Sequence, residues 1–271
     1  MFPRLLELGP ITIYSYGVLL AAAYLVGLKL ALVRSQSRGL DANKMMDLGI
    51  YIIISALLGA KAMLLIVDFD YYTSSSAQFL SLIRSGGVFY GGLLVSVIVA
   101  FWFLKKHRMN TWNVCDAFAP GIALGHAVGR LGCLMAGCCY GSPTDLPWGI
   151  TFTNTLAAAN VGTPLNTLLH PTQLYESFAE LTILLILIGT ERRGPRFAGR
   201  TFWLYIVLYG LSRFVIEFYR GDPRGMVFDL LSTSQFIATL LVPLGSLMLF
   251  YLFRTNRPDI PSTRGRRTQT A

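Results

Sequence analysis

Residues 48–67 read LGIYIIISALLGAKAMLLIV. The stretch holds a single charge, Lys61, and its apolar residues do not alternate with polar ones. A helix of about 20 residues crosses the roughly 30 Å hydrocarbon core of a bilayer. Similar runs cover about 11–33, 87–104, 114–136, 172–190, 201–219 and 234–253. Over 271 residues, 54% are hydrophobic and only 14% charged, too few charges to coat a soluble surface. The chain is therefore expected to be an all-α integral membrane protein with seven transmembrane helices, each satisfying its own backbone in lipid. The first run is longer than a signal-peptide core and is preceded only by Arg4 as a positive charge. It reads as a retained span rather than a cleaved leader.

Charge predicts the orientation. Fifteen of the 23 Lys and Arg residues lie in the linkers after runs one, three and five and in the C-terminal tail. Cytoplasmic loops collect Lys and Arg, which puts the N-terminus outside and the C-terminus in the cytoplasm. The net charge of +9 then reflects topology and contact with anionic membrane lipids. No basic patch is interleaved with stacking aromatics, so no nucleic acid partner is expected.

One membrane domain is expected over 1–254, with three segments outside the bilayer. An extracytoplasmic arm covers about 68–86, where Phe79, Leu80 and Ile83 form the apolar face of a short helix lying in the membrane interface. A small extracytoplasmic cap covers about 138–170, where WGITFT alternates like a short strand. Residues 255–271 are polar and basic and are expected to form a disordered cytoplasmic tail.

Ionisable groups inside spans are costly, and each is a functional hypothesis. In span six Arg213, Glu217 and Arg220 share one stripe, and two arginines to one glutamate leave a surplus positive charge that suits a phosphate. A structural ion pair is the plainer alternative. In span four His126 and Arg130 lie one turn apart on a helix whose Gly121, Gly125 and Gly129 invite close packing. In span five Gln173, Glu176 and Glu180 fall on one stripe and read as polar glue between helices, or as glutamates that neutralise the arginines or serve as a base. Lys61 is a further counter-charge or a snorkelling residue. With Tyr14, Tyr16 and Tyr90, these groups all fall in the extracytoplasmic half, as a cavity for an anionic headgroup would require.

Three cysteines, Cys133, Cys138 and Cys139, end span four. They read as small buried hydrophobes, as a redox pair, as a metal site or as acceptor thiols. The absence of C-x-x-C spacing argues against metal, and Cys115 looks structural.

LGPITIYSYG, SGGVFYGGL, GRLGCLMAG, HPTQLYE and YGLSRFVIEFYR occur in that order along nearly the whole chain. In these motifs the chain resembles bacterial phosphatidylglycerol–prolipoprotein diacylglyceryl transferases. The resemblance implies an enzyme of the bacterial plasma (inner) membrane. It would move the diacylglyceryl group of phosphatidylglycerol to the lipobox cysteine of prolipoprotein signal peptides, forming a thioether and releasing glycerol phosphate. It implies Arg130 as the headgroup-binding arginine, Arg213 as a second essential one, Glu217 orienting Arg213, and Tyr16 as a functional tyrosine. His170, Gln173, Glu176 and Arg220 would line the substrate site. No metal or organic cofactor is implied. The chain departs from the family pattern at Tyr90, where a histidine is usual. Tyrosine, with an ordinary pKa near 10, is the poorer base. It departs again at Cys133 and Cys138, where Asn and Glu are usual. Two other readings stay open: a paralogue with the same lipid donor and a different acceptor engaged through the three cysteines, and a non-enzymatic transporter or assembly factor.

Overall fold

The computed structural model describes residues 2–8, 11–193, 197–223, 225–227 and 230–255. Of the tail expected over 255–271, Thr255 is the last residue of a helix, and the remainder lies outside these residues. The described residues are mostly helical, and seven helices are long and apolar enough to cross a membrane. They fall into two compact units, residues 1–31 with 115–271, and residues 32–114.

The first unit opens with a feature the apolar run concealed. Strands β1 (Arg4–Leu8) and β2 (Ile11–Tyr14) pair antiparallel, Glu7 facing Thr12 and Leu8 facing Ile11. Helix α1 (Ser15–Gln36) starts only after this hairpin, four residues later than the hydropathy of 11–33 suggests. β-branched Ile11, Thr12 and Ile13 favour the strand, and apolarity alone cannot separate strand from helix over so short a stretch.

The second unit pairs α2 (Ala42–Val67), capped by the Asp41 side chain, with α5 (Phe89–Lys106). Small residues set their distance: a Cβ on Gly91 would lie 2.6 Å from the Gly59 carbonyl oxygen, and one on Gly92 would lie 2.7 Å from that of Ala56. Between them come α3 (Phe69–Thr73) and α4 (Ser76–Arg84). Phe79, Leu80 and Ile83 of α4 are all exposed, the apolar face expected of an interfacial helix. Lys61 is no counter-charge to carboxylates here. Its Nζ donates to the carbonyls of Leu82 (2.7 Å), Ile83 (3.3 Å), Gly86 (3.2 Å) and Ser85, where α4 ends. A cation at a helix C-terminus satisfies carbonyls that the helix leaves unpaired.

In the first unit, α6 (Thr111–Ala136) packs on α1 at the expected glycines. A Cβ on Gly121 would stand 2.4 Å from the Gly27 carbonyl oxygen, so only glycine allows this approach. After α6 the cap contains β3 (Ile150–Thr151), α7 (Thr155–Val161) and β4 (Leu168–Leu169). The alternating WGITFT yields only the two-residue strand β3, paired antiparallel with β4 over a core of Tyr140, Phe152 and Leu169. Helices α8 (Thr172–Arg193) and α9 (Arg200–Ile216) follow, the latter continued by a 3-10 turn at Glu217–Tyr219. A short hairpin of β5 (Met226–Val227) and β6 (Leu231–Ser232) leads to α10 (Thr233–Thr255). Ala119 and Ala123 of α6, Ile183, Leu184 and Leu187 of α8, and Tyr205 of α9 form one core.

The two ends of this core are fastened differently. At one, the fully buried Asp116 caps α9, accepting from the backbone N–H groups of Gly199 (2.8 Å) and Phe202 (2.9 Å). At the other, the C-termini of α6 and α9 and the N-terminus of α8 bring the ionisable residues together.

Candidate active site

Glu176, in the second turn of α8, is the hub. One carboxylate oxygen accepts from Arg220 Nη1 (2.8 Å) and from Arg213 Nη1; the other lies 2.5 Å from Arg130 Nε. The three guanidiniums come from α6, from α9 and from just beyond it. Glu176 is 3% exposed and Arg213 7%. Charges buried this deeply persist only when paired. Arg213 also meets Glu217 Oε2 at 2.7 Å and donates to Ser234 Oγ at 3.2 Å. Arg220 holds Asp222 in a two-point fork, with both contacts at 2.8 Å. Among the described residues, three guanidiniums thus face the carboxylates of Glu176, Glu217 and Asp222. The surplus charge read from span six alone is balanced by residues of α8 and of the following loop.

Beside the hub runs a second chain of contacts. Arg130 Nε is 3.1 Å from His126 Nε2, and His126 Nδ1 lies 2.7 Å from Glu180 Oε1. His126 thus sits between Arg130 and Glu180. Free space next to Glu176, Glu180, Tyr209 and Arg213 amounts to about 10 Å³, enough for about one water.

The cysteines close the site on its other side. Helix α6 ends at Gly137, whose left-handed φ of 84° turns the chain back while its N–H bonds the Cys133 carbonyl at 2.9 Å. Cys139 is also left-handed, with φ 60°, a conformation rare without glycine. Two side chains of α8 hold this turn: Gln173 Nε2 donates to the Cys138 carbonyl (2.8 Å) and Thr172 Oγ1 to that of Cys139 (2.7 Å). All three thiols are free, and their sulfurs lie within 4.8 Å of one another. Arg130 Nη1 is 4.0 Å from Cys133 Sγ, and Arg220 faces Cys139. The Cys138 thiol donates to the Cys133 carbonyl at 3.8 Å. The two neighbouring thiols, with Arg220 and Arg130, hold the Cys139 pKa below the usual thiol range, and the Cys133 and Cys139 groups push that of Cys138 up. Tyr16 packs against Gly132, 3.4 Å from where a Cβ would be, within electrostatic reach of the thiols and Arg130.

Arg130, Arg213, Glu217, Glu176 and Arg220 therefore meet directly. Gln173, Tyr16 and the three cysteines lie alongside. His170 stands apart from the arginine hub, its Nδ1 3.2 Å from the Tyr175 hydroxyl and its ring 5.2 Å from that of Tyr219. Tyr90 belongs to the other unit, in the first turn of α5, and is 57% exposed. Asp222 escaped the sequence reading. Its only signal is its place two residues after Arg220, a spacing without meaning on a helix but reachable across the turn that follows one.

A family model described as prolipoprotein diacylglyceryl transferase matches residues 3–251. The chain is 38% identical over 245 residues to the phosphatidylglycerol–prolipoprotein diacylglyceryl transferase of Clostridium tetani, covering 90% of this chain and 95% of that one. It is 33% identical to the second such enzyme of Clostridium perfringens, covering 90% and 92%, and 30% identical to that of Synechococcus elongatus, covering 95% and 90%. With seven membrane-crossing helices and this match along nearly its whole length, the chain belongs to the prolipoprotein diacylglyceryl transferase family and is a multi-pass transferase of lipoprotein biosynthesis in the bacterial inner membrane.

Proposed function

We propose that Arg130, Arg213 and Arg220 form the phosphate cradle in which this transferase moves the diacylglyceryl group of phosphatidylglycerol to prolipoprotein, the acceptor being the lipobox cysteine. The observation that carries this reading is the convergence of three guanidiniums on Glu176. A guanidinium takes a phosphate in a two-point fork, as Arg220 already takes Asp222. The phosphodiester of the lipid substitutes for a carboxylate on the arginines. The acceptor sulfur then attacks the terminal carbon of the diacylglyceryl group, and a C–S bond forms as the C–O bond breaks. The electron pair leaves with glycerol phosphate, whose growing charge meets fixed cations in a water-poor site. Glu176 and Glu217 are positioning residues, engaged by guanidiniums rather than poised as bases. Gln173 and Tyr16 border the acceptor's path, and His170 with Tyr175 and Tyr219 forms its outer rim. The proton of the acceptor thiol goes to a group outside the hub.

The lysine and arginine asymmetry supports an N-out, C-in orientation, with the site opening to the extracytoplasmic face where prolipoprotein cysteines emerge. Purified Arg130→Ala, given phosphatidylglycerol and a synthetic lipobox peptide, is expected to lose at least about 100-fold in transfer, the scale of one preorganised donor. Mass spectrometry of the peptide reads the gain of one diacylglyceryl group, and full transfer by this variant would remove Arg130 from the cradle.

A further inference from the structure

We infer that Cys133, Cys138 and Cys139 form a three-thiolate site for a zinc-type divalent cation, whose fourth position takes the sulfur of the acceptor cysteine. The inference rests on the phosphate-cradle reading above and supplies what that reading lacks, a way to hold the acceptor as a thiolate.

The geometry points to a built site. The three sulfurs already lie within 4.8 Å of one another. Zinc–sulfur bonds of about 2.3 Å in a tetrahedron place sulfurs about 3.8 Å apart, so a contraction of no more than about 1 Å closes the site. The backbone is shaped for it. Gly137 turns the chain back, and a Cβ there would lie 2.7 Å from that of Ala157. The left-handed Cys139 is the strained element that lets two adjacent cysteines serve one centre. Buried Gln173 and Thr172 fasten the carbonyls of both, the supporting contacts that orient ligands in metal sites.

The electrostatics fit as well. Three thiolates and a divalent cation carry a net charge of −1, and a bound acceptor thiolate makes it −2. Arg130 and Arg220 stand beside Cys133 and Cys139 to offset that charge. Three protein ligands with a fourth position open is the pattern of catalytic rather than structural zinc, and a coordinated thiol is deprotonated. The step balances without any change of oxidation state. The acceptor S–H loses its proton to water as the S–metal bond forms. The bound sulfur then uses its electron pair to form the C–S bond, and the C–O pair departs with glycerol phosphate onto the arginines. The thioether produced is a weak ligand and leaves, returning the three-thiolate centre.

The test uses the full chain, reduced, in detergent, stripped with a chelator and titrated with Co²⁺ as a spectroscopic stand-in. One equivalent is expected to bind with the visible bands of a tetrahedral thiolate complex and to be displaced by Zn²⁺. A lipobox peptide with cysteine is expected to shift those bands, and the same peptide with serine is not. Cys139→Ser is expected to weaken binding at least about tenfold, while Cys115→Ser leaves it unchanged. Failure to bind one equivalent, binding that survives replacement of all three cysteines by serine, or a disulfide between Cys133 and either neighbour in the active enzyme would overturn the inference. So would unshifted bands with the cysteine peptide, a readout in the unaltered chain that needs no variant to fold. The two readings fail separately. Metal-stripped enzyme that transfers at the full rate sinks the thiolate site and leaves the cradle, whereas Arg130→Ala that binds Co²⁺ and transfers normally sinks the cradle.

Discussion

Glu176→Gln is the sharpest perturbation of the site, because it keeps the shape and removes one charge shared by three arginines. At an effective dielectric of about 20, each guanidinium–carboxylate contact near 4 Å between charge centres amounts to about 4 kcal/mol before desolvation. Arg213 keeps Glu217 and Arg220 keeps Asp222. Arg130 keeps contacts with His126 and Cys133 but has no second ion pair with a carboxylate among the described residues, so the loss concentrates there. Removing one partner of a buried pair costs about 3–5 kcal/mol. The lower figure is more than a hundredfold in the folding equilibrium and roughly 6–12 °C in melting temperature for a chain of this size. Thermal unfolding in detergent reads the stability, and the phosphatidylglycerol and lipobox-peptide assay reads the chemistry. Glu217→Gln is the control, expected to cost less because Arg213 still has Glu176. If Glu176→Gln melts with the wild type and transfers at its rate, Glu176 is not what holds the arginines, and the cradle as drawn is wrong.

Other perturbations separate structure from chemistry. Asp116→Ala removes both capping contacts of α9 at the end opposite the hub. It is expected to cost about 2 kcal/mol of stability, with transfer per folded molecule unchanged and Asn a partial rescue. Gly121→Val drives a side chain into the Gly27 carbonyl, so folded protein recovered from membranes should fall steeply and Gly121→Ala should be intermediate. Tyr90→Phe tests the proton: with the acceptor held as a metal thiolate, transfer should stay within about threefold of wild type. A hundredfold fall with a displaced pH profile would return the role to the phenol.

The spans were legible because bilayer thickness imposes a run length that composition cannot disguise. The close approach of a helix at Gly121 and Gly125 followed from their four-residue spacing, but not that the helix is α1. Helical periodicity also placed Gln173, Glu176 and Glu180 on one stripe, and each reaches toward α6 or the turn that follows it. What each of them meets was not legible. Periodicity orders residues within a helix and says nothing about which stripe of a neighbouring helix faces it. Hence Lys61 reads as a counter-charge or a snorkelling residue when it ends α4, and the arginines of span six look unbalanced when α8 and the loop after α9 balance them. The thiols were harder still. Cys133, Cys138 and Cys139 match no regular ligand spacing, because what gathers them is two left-handed residues, and a single sequence gives little sign of a positive φ outside glycine.

Charge balance has a consequence for how the lipid enters. Three unpaired guanidiniums in a membrane-embedded site would each bear a desolvation cost of several kcal/mol. The carboxylates of Glu176, Glu217 and Asp222 offset that cost, and about 10 Å³ of space remains beside Glu176 and Arg213. A phosphodiester carries the same unit charge as a carboxylate and offers the same two-point geometry to a guanidinium. In the cradle proposed above, the displaced carboxylate stays in the hub, so the three arginines then share one more negative charge than before. A further charge appears on the phosphate as the C–O bond breaks. The field of the arginines acts on that growing charge, where stabilisation accelerates the reaction.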